Sequence, residues 1–168
     1  ISGIGNDAFN REGRQADNLD PVSVDITRLV LSDQVDFIGK NAFRFQSTLG
    51  SVNLSFCKVV GNDAFYDCTN LTSVEFGNEG SLQSTQVLGA RSFYNCQKLT
   101  GITFPKSLTD VGTACFAKSG LKSFGMSTVS TAGETGSSSL TIWPFGFYDC
   151  ADLSGDTASY FNPNVTIV

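Results

Sequence analysis

The chain has no histidine at all, and among its 168 residues there are only one tryptophan, one methionine and four prolines. Without imidazole, Ser-His and Cys-His nucleophile systems are excluded outright, and a mixed Cys/His zinc site cannot be completed. The five cysteines, Cys57, Cys68, Cys96, Cys115 and Cys150, contain no Cys-x-x-Cys pair, and their odd number argues against a fully paired disulfide framework. Cysteine usage therefore leaves the redox compartment open. Positive charge is scarce as well: 11 Lys and Arg, scattered singly, stand against 16 Asp and Glu for a net charge of −5. Such a chain repels polyanions, which disfavours nucleic acid and anionic membrane surfaces as partners. No apolar run approaches the roughly 20 residues that a membrane-crossing helix needs, so no membrane insertion is expected. Ile1-Ser2-Gly3 leads directly into repeat-like sequence, so any signal peptide is expected to lie outside this stretch.

Phenylalanine, with 14 residues, and glycine, with 17, are plentiful, and they recur together. An aliphatic residue, usually followed by Gly, stands five positions before a Phe at Ile4…Phe9, Ile38…Phe43, Val60…Phe65, Leu88…Phe93, Val111…Phe116 and Ile142…Phe147. The residue before each Phe is small: Ala8, Ala42, Ala64, Ser92, Cys115 and Gly146. Downstream come a small residue and a Leu, then a short alternating run, seen in Ser51-Val52-Asn53-Leu54, Ser73-Val74-Glu75-Phe76, Gly101-Ile102-Thr103-Phe104 and Ser123-Phe124-Gly125-Met126. Arg28-Leu29-Val30-Leu31 fits the same frame. Alternation over so few residues describes a short strand with one buried face. One strand per repeat predicts coils stacked so that the strands form a parallel sheet, each coil burying its Phe only against its neighbours. Gly after the aliphatic residue suits a tight turn or positive φ, and the x-x-Ala-Phe that follows suits one helical or 3₁₀ turn.

Successive Phe-to-Phe distances are 34, 22, 28, 23 and 31 residues, so alternate coils are enlarged. Two of the excesses follow a strand, at 77–87 and 127–141, while the placement of the first, within 10–25, is ambiguous. The 127–141 stretch is rich in Ser, Thr and Gly, the composition of a mobile loop. Val165-Thr166-Ile167-Val168 reads as a closing strand or the start of another coil.

The run Ile/Val-Gly-x-x-Ala-Phe-x-x-Cys-x-x-Leu, followed by a strand, is best preserved at Val60–Leu71, Leu88–Leu99 and Leu99–Phe116. It resembles the BspA-type leucine-rich repeat family over roughly residues 26–153. The chain departs from the family pattern at Gln46 and Ser119, which replace the Cys, and in retaining Pro after the strand only at Pro105. The resemblance implies a leucine-rich repeat β-solenoid with short parallel strands on one face and turns with short 3₁₀ or helical segments on the other. Residues 1–168 would form a single domain of about five to six coils, open to being a fragment of a longer array. It further implies a secreted or cell-surface protein without cofactor or catalytic role, acting in adhesion to a host or matrix protein or glycan. A structural spacer holding another domain off the surface is the alternative.

Candidate sites divide between structural and functional readings. Cys68 and Cys96 share one repeat position and read as a ladder of buried thiols packed between coils. The acids Asp7, Asp63, Asp67 and Asp149 stand in turn contexts that suit capping rather than catalysis. Asp17-Asn18-Leu19-Asp20 lacks the ligand order and glycine of an EF-hand loop. The outward strand positions form two columns, Arg28, Ser51, Ser73, Gly101, Ser123 and Val30, Asn53, Glu75, Thr103, Gly125, either a solvated sheet or a face for a glycan or extended polypeptide. Arg28, Ser51, Asn53, Ser73, Glu75, Thr103 and Ser123 are the binding candidates there. Trp143 is the further candidate, since Trp commonly anchors interfaces. Tyr66, Tyr94 and Tyr148 read either as anchors or as a stacked row over the turns. Asn53, Asn70 and Asn164 match the glycosylation acceptor pattern, which matters only in a host that glycosylates. If the long segments after Phe76 and Met126 flank the sheet on one rim and carry specificity, deleting residues 128–139 abolishes partner binding while thermal stability hardly changes. Unaltered binding of the deletion variant in a solid-phase assay would refute that assignment.

Overall fold

The computed structural model describes residues 2–11, 25–76, 85–126, 139–151, 153 and 165–168. The three enlarged stretches of the sequence lie largely outside these residues, as do Asp17–Asp20 and Asn164. Twelve short strands follow one another: β1 (Ser2–Ile4), β2 (Arg28–Val30), β3 (Val35–Ile38), β4 (Ser51–Asn53), β5 (Val59–Val60), β6 (Ser73–Glu75), β7 (Val87–Leu88), β8 (Gly101–Phe104), β9 (Asp110–Val111), β10 (Ser123–Met126), β11 (Leu140–Ile142) and β12 (Val165–Ile167).

They sort into two faces of a solenoid. β2, β4 and β6 form one parallel ladder and β8 with β10 a second, and these are the strands that alternation predicts. β1, β3, β5, β7, β9, β11 and β12 form a seven-stranded parallel sheet on the other face. This second sheet is built from the aliphatic residue of each repeat and the residues just before it. Alternation cannot reveal strands as short as Val59–Val60 or Val87–Leu88.

Among the described residues the return half of each coil contains no helix, contrary to the expected helical or 3₁₀ turn. The reason lies in how its amides are divided. Ala64, Tyr66 and Cys68 donate within their own turn to Gly61, Asp63 and Phe65, three residues back, whereas Asp63, Phe65 and Asp67 donate to Ala90, Ser92 and Tyr94 of the next coil. A helix would keep all of these donors inside one turn; here alternate ones cross over, and the turns are locked to one another. The crossing geometry places two residues of each turn after the first in the left-handed region, as at Asp63 (φ 55) and Asp67 (φ 61), Arg91 (φ 53) and Asn95 (φ 57), and one in the first, Asp7 (φ 55). Asp and Asn tolerate that region better than most residues, which accounts for their frequency at these positions.

Positive φ thus falls two residues after the repeat glycine rather than on it. The glycine is required for a different reason: a Cβ on Gly61 would lie 2.7 Å from the backbone carbon of Gly39, and one on Gly89 2.6 Å from that of Gly61. Adjacent coils approach too closely there for any side chain.

The six repeat rings form one continuous column, interior except at its first member, Phe9, which is 42% exposed because no coil precedes it among the described residues. Phe9–Phe43, Phe43–Phe65, Phe65–Phe93, Phe93–Phe116 and Phe116–Phe147 are stacked with centroids 5.1, 5.3, 5.2, 5.3 and 5.6 Å apart. Phe43, Phe65, Phe93 and Phe116 are fully buried, together with Leu49, Leu71, Leu99 and Leu108. Burial of the whole ring and the stack on both sides predict that Phe93→Ala costs about 3–5 kcal/mol, measured as the difference in unfolding free energy in urea. A loss below about 1 kcal/mol would be inconsistent with an interior position.

Candidate functional site

The face carrying β2, β4 and β6 has its register set by burial. Val52 and Val74 point into the core, with Leu29 packed against it, so the residues on either side of them must point outward. The pairing is Arg28↔Ser51↔Ser73 and Val30↔Asn53↔Glu75, the two columns anticipated from the repeat. Asn53 Nδ2 donates to Glu75 Oε2 at 2.8 Å, and Asn53 Oδ1 accepts from the Ser55 amide at 3.0 Å, which fixes both side chains. On the second ladder Gly101 pairs with Ser123 and Thr103 with Gly125, while Ile102, Phe104 and Phe124 are buried.

The structure brings Arg28, Ser51, Asn53, Ser73 and Glu75 together on one ladder and Thr103 with Ser123 on the other. Among the described residues no strand pairing joins β6 to β8, where the enlarged coil containing residues 77–84 intervenes. The core nevertheless continues across the gap, with the rings of Phe76 and Phe104 6.2 Å apart. Trp143 stands apart from the other seven: it follows β11 of the opposite sheet, is 44% exposed, and donates its indole N–H to Asp110 Oδ1 at 3.4 Å. The outward positions of the two ladders are small, polar or glycine, apart from Arg28, Val30 and Glu75. They offer a flat face with hydrogen-bonding groups and no aromatic anchor.

The turn side carries interactions that reading each repeat alone does not show. Arg44, Tyr66 and Tyr94 occupy one repeat position; the Arg44 guanidinium lies 4.5 Å over the Tyr66 ring, and Tyr66 stacks on Tyr94 at 4.8 Å. Lys118 Nζ lies 5.8 Å from the Tyr94 ring centre, so the tyrosine pair is bracketed by cations. Tyr148 does not join the row, because Ala117 holds the equivalent position in the intervening coil; it meets Phe145 edge-on instead at 5.9 Å. Asp63, buried, accepts a bidentate pair from Arg91 at 2.9 and 3.0 Å, both residues holding the same place in successive turns. The common signal in these cases is position in the repeat. Of the described glycosylation-pattern residues, Asn70 Nδ2 donates to the Ser47 carbonyl at 2.6 Å, and Asn53 is engaged as described above.

The cysteines form the thiol ladder that the repeat suggests. All five are free and buried. Cys68, Cys96 and Cys150 direct Sγ to the carbonyls of Phe43, Phe65 and Phe116 in the preceding coil, at 3.2, 3.4 and 3.2 Å. Gln46 fills the same position with Nε2 at 2.6 Å from the Phe9 carbonyl, so its departure from Cys preserves the donor. Burial pushes the thiols of Cys57, Cys68 and Cys115 up to about 12, and raises those of Cys96 and Cys150 as well. None of them is poised as a nucleophile. Among the described residues no group of three or more His, Cys, Asp or Glu could hold a metal ion, and no helix is long and apolar enough to cross a membrane.

The chain is similar to two sets of known proteins. A family model for the BspA type leucine rich repeat region matches residues 22–154 in six copies. Among solved structures, a leucine rich cell surface protein from Faecalibacterium prausnitzii superimposes with a TM-score of 0.63 at 20% sequence identity, covering 99% of this chain and 43% of that one. At that identity the likeness shows the fold alone, and this chain spans less than half the length of that protein. No curated protein matches the chain.

A thiol raised above the ordinary value of 9.0 in the folded chain keeps a proton that the unfolded chain releases. The stability it contributes is therefore complete below that pH and is lost as pH rises toward about 12. Two outcomes are expected: a thiol reagent at pH 8 labels the native protein far more slowly than the urea-unfolded chain, which reacts at all five cysteines, and the urea midpoint falls between pH 9 and 12. Rapid labelling of the native state would contradict the burial of the ladder.

Proposed function

The chain belongs to the BspA-type leucine-rich repeat family, and from that premise we propose that its outward strand face is a non-catalytic recognition surface for a protein or glycan at a cell surface or in secreted form. The observation that carries this reading is the register of the two ladders. It sets Arg28, Ser51, Ser73, Asn53 and Glu75 side by side on a rigid backbone, with Thr103 and Ser123 on the neighbouring ladder. A flat polar face suits an extended partner that reads hydrogen-bonding groups rather than one that inserts a side chain into a pocket. The pairing of Asn53 with Glu75 pre-orders two of those groups, so less rotamer freedom is lost when a partner binds. A surface location is supported by the leucine rich cell surface protein of like fold. Absence of histidine, together with raised and buried thiols, supports a role without covalent chemistry. Trp143, on the other sheet, lies outside this surface.

The test is a binding screen of the chain against extracellular-matrix proteins and glycans, repeated with Ser73→Arg and Thr103→Arg. Both substitutions add bulk on exposed positions and are expected to weaken binding by tenfold or more, on the order of 1.4 kcal/mol, with the melting temperature little changed. Binding that survives both substitutions would place the contact elsewhere, and a screen with no binding at all would favour the spacer reading.

A further inference from the structure

The seven-stranded sheet has an outer face of its own, apart from the strand ladders on which the recognition surface was placed. Ile38, Val60, Leu88, Val111 and Ile142 point from its strands into the core, so the residue before each of them points outward. Pairing aligns these outward residues, Phe37↔Val59↔Val87↔Asp110↔Thr141, in one row along the solenoid. The row is apolar at Val59, 40% exposed, and at the half-buried Val87, and it turns polar at Asp110. The column beside it, Asp36, Lys58, Gln86 and Thr109, is polar, and its cation is spent: Lys58 Nζ is paired with Asp36 Oδ1 at 3.6 Å.

Trp143 stands against this row. It takes the repeat position that Gly61, Gly89 and Gly112 hold in earlier coils, and its indole N–H reaches back to Asp110 Oδ1 at 3.4 Å. An indole has no other polar atom, so what it leaves exposed is aromatic carbon. Asp110 Oδ2 accepts from the Thr109 hydroxyl at 2.7 Å; a carboxylate offers about four acceptor positions, and the remaining ones are available to a ligand's hydroxyls. Trp143 does not owe its exposure to an open sheet edge: β12 follows β11, and the Val168 amide next to it donates to the Ile142 carbonyl at 3.0 Å.

We propose that Trp143, Asp110, Val87 and Val59 form a binding site for an uncharged oligosaccharide lying along the row. A pyranose ring has a face of C–H groups, which packs on an indole, and an edge of hydroxyls, which a carboxylate accepts; Trp143 and Asp110 supply both side by side. Successive coils stack 5.1 to 5.6 Å apart at their rings, close to the rise of one sugar in an extended chain, so the units after the first meet Val87 and then Val59. Acidic glycans are repelled by Asp110 and by the net charge of −5. A folded protein needs about 800 Å² of surface on each side of a stable interface, far more than a row one side chain wide can give. The site is separate from the polar strand face and does not depend on its role.

The probes are cellohexaose and N-acetylchitohexaose, with hexagalacturonic acid as the charged control. Trp143, the only tryptophan, reports binding by its fluorescence, and calorimetry reads the variants. At least one neutral hexasaccharide is expected to bind saturably, shifting Trp143 emission and protecting it from quenching by acrylamide. Trp143→Ala and Val59→Arg should each weaken that binding by roughly tenfold or more, and Ser73→Arg, on the strand face, should leave it unchanged. Both positions are exposed, so the melting temperature should hold; if Trp143→Ala lowers it, Val59→Arg carries the test. The proposal is overturned if neither neutral saccharide binds saturably, if hexagalacturonic acid binds as tightly, if Val59→Arg binds like the parent chain, or if Ser73→Arg removes the binding, which would place it on the strand face.

Discussion

Ring-on-ring contact between successive coils, repeated five times at 5.1 to 5.6 Å, is the constraint on which the rest of the structure depends. A coil by itself has a strand of three or four residues on one face, two to four on the other, and a phenylalanine with nothing to cover it. Stacking removes the rings of Phe43, Phe65, Phe93 and Phe116 from water on both sides, and the aromatic area buried per residue is among the largest available to a core. The spacing that suits the rings also brings the glycine backbones so near that a Cβ on Gly89 or Gly112 would overlap the neighbouring coil. It is also close enough for alternate turn amides to cross over. Ring column, glycine column and shared amides are three consequences of one pitch, and a change that alters the pitch disturbs all three.

This is why so much of the architecture was legible in the sequence, and why certain parts were not. The repeat Phe, its small predecessor and the alternating Val52, Val74 and Ile102 encode burial directly, so the coil, the parallel ladders and the inward ring could be read from spacing. The seven-stranded sheet could not, because two-residue strands such as Asp110–Val111 have no period. Spacing marks the position of the glycine but not its cause, which is a backbone 22 to 34 residues away that local turn chemistry cannot show. The helical turn was likewise overruled by contacts between coils, since alternate amides are taken by the neighbour. Of the candidate surface, the columns were legible and their interruption between β6 and β8 was not. The separation of Trp143 from the other candidates depends on the sheet that spacing missed.

On the recognition role proposed above, the two faces of the coil stack divide their labour. One side of the coil stack is closed by interactions that serve the repeat itself: thiols and Gln46 on phenylalanine carbonyls, Asp63 on Arg91, and tyrosines between Arg44 and Lys118. The opposite side keeps small polar groups that the fold does not require, apart from the Asn53–Glu75 pair. Freedom of that kind on a rigid scaffold is where a family of repeat proteins can vary its partners without loss of stability.

The most direct test of the ring column is a pair of double-mutant cycles with phenylalanine replaced by leucine, one at Phe65 and Phe93, which touch, and one at Phe43 and Phe93, which are separated by an intervening ring. Stacking as the source of cohesion predicts a coupling of about 0.5–1.5 kcal/mol for the touching pair and additivity within about 0.5 kcal/mol for the separated pair. Equal couplings in both cycles, or none in either, would contradict it.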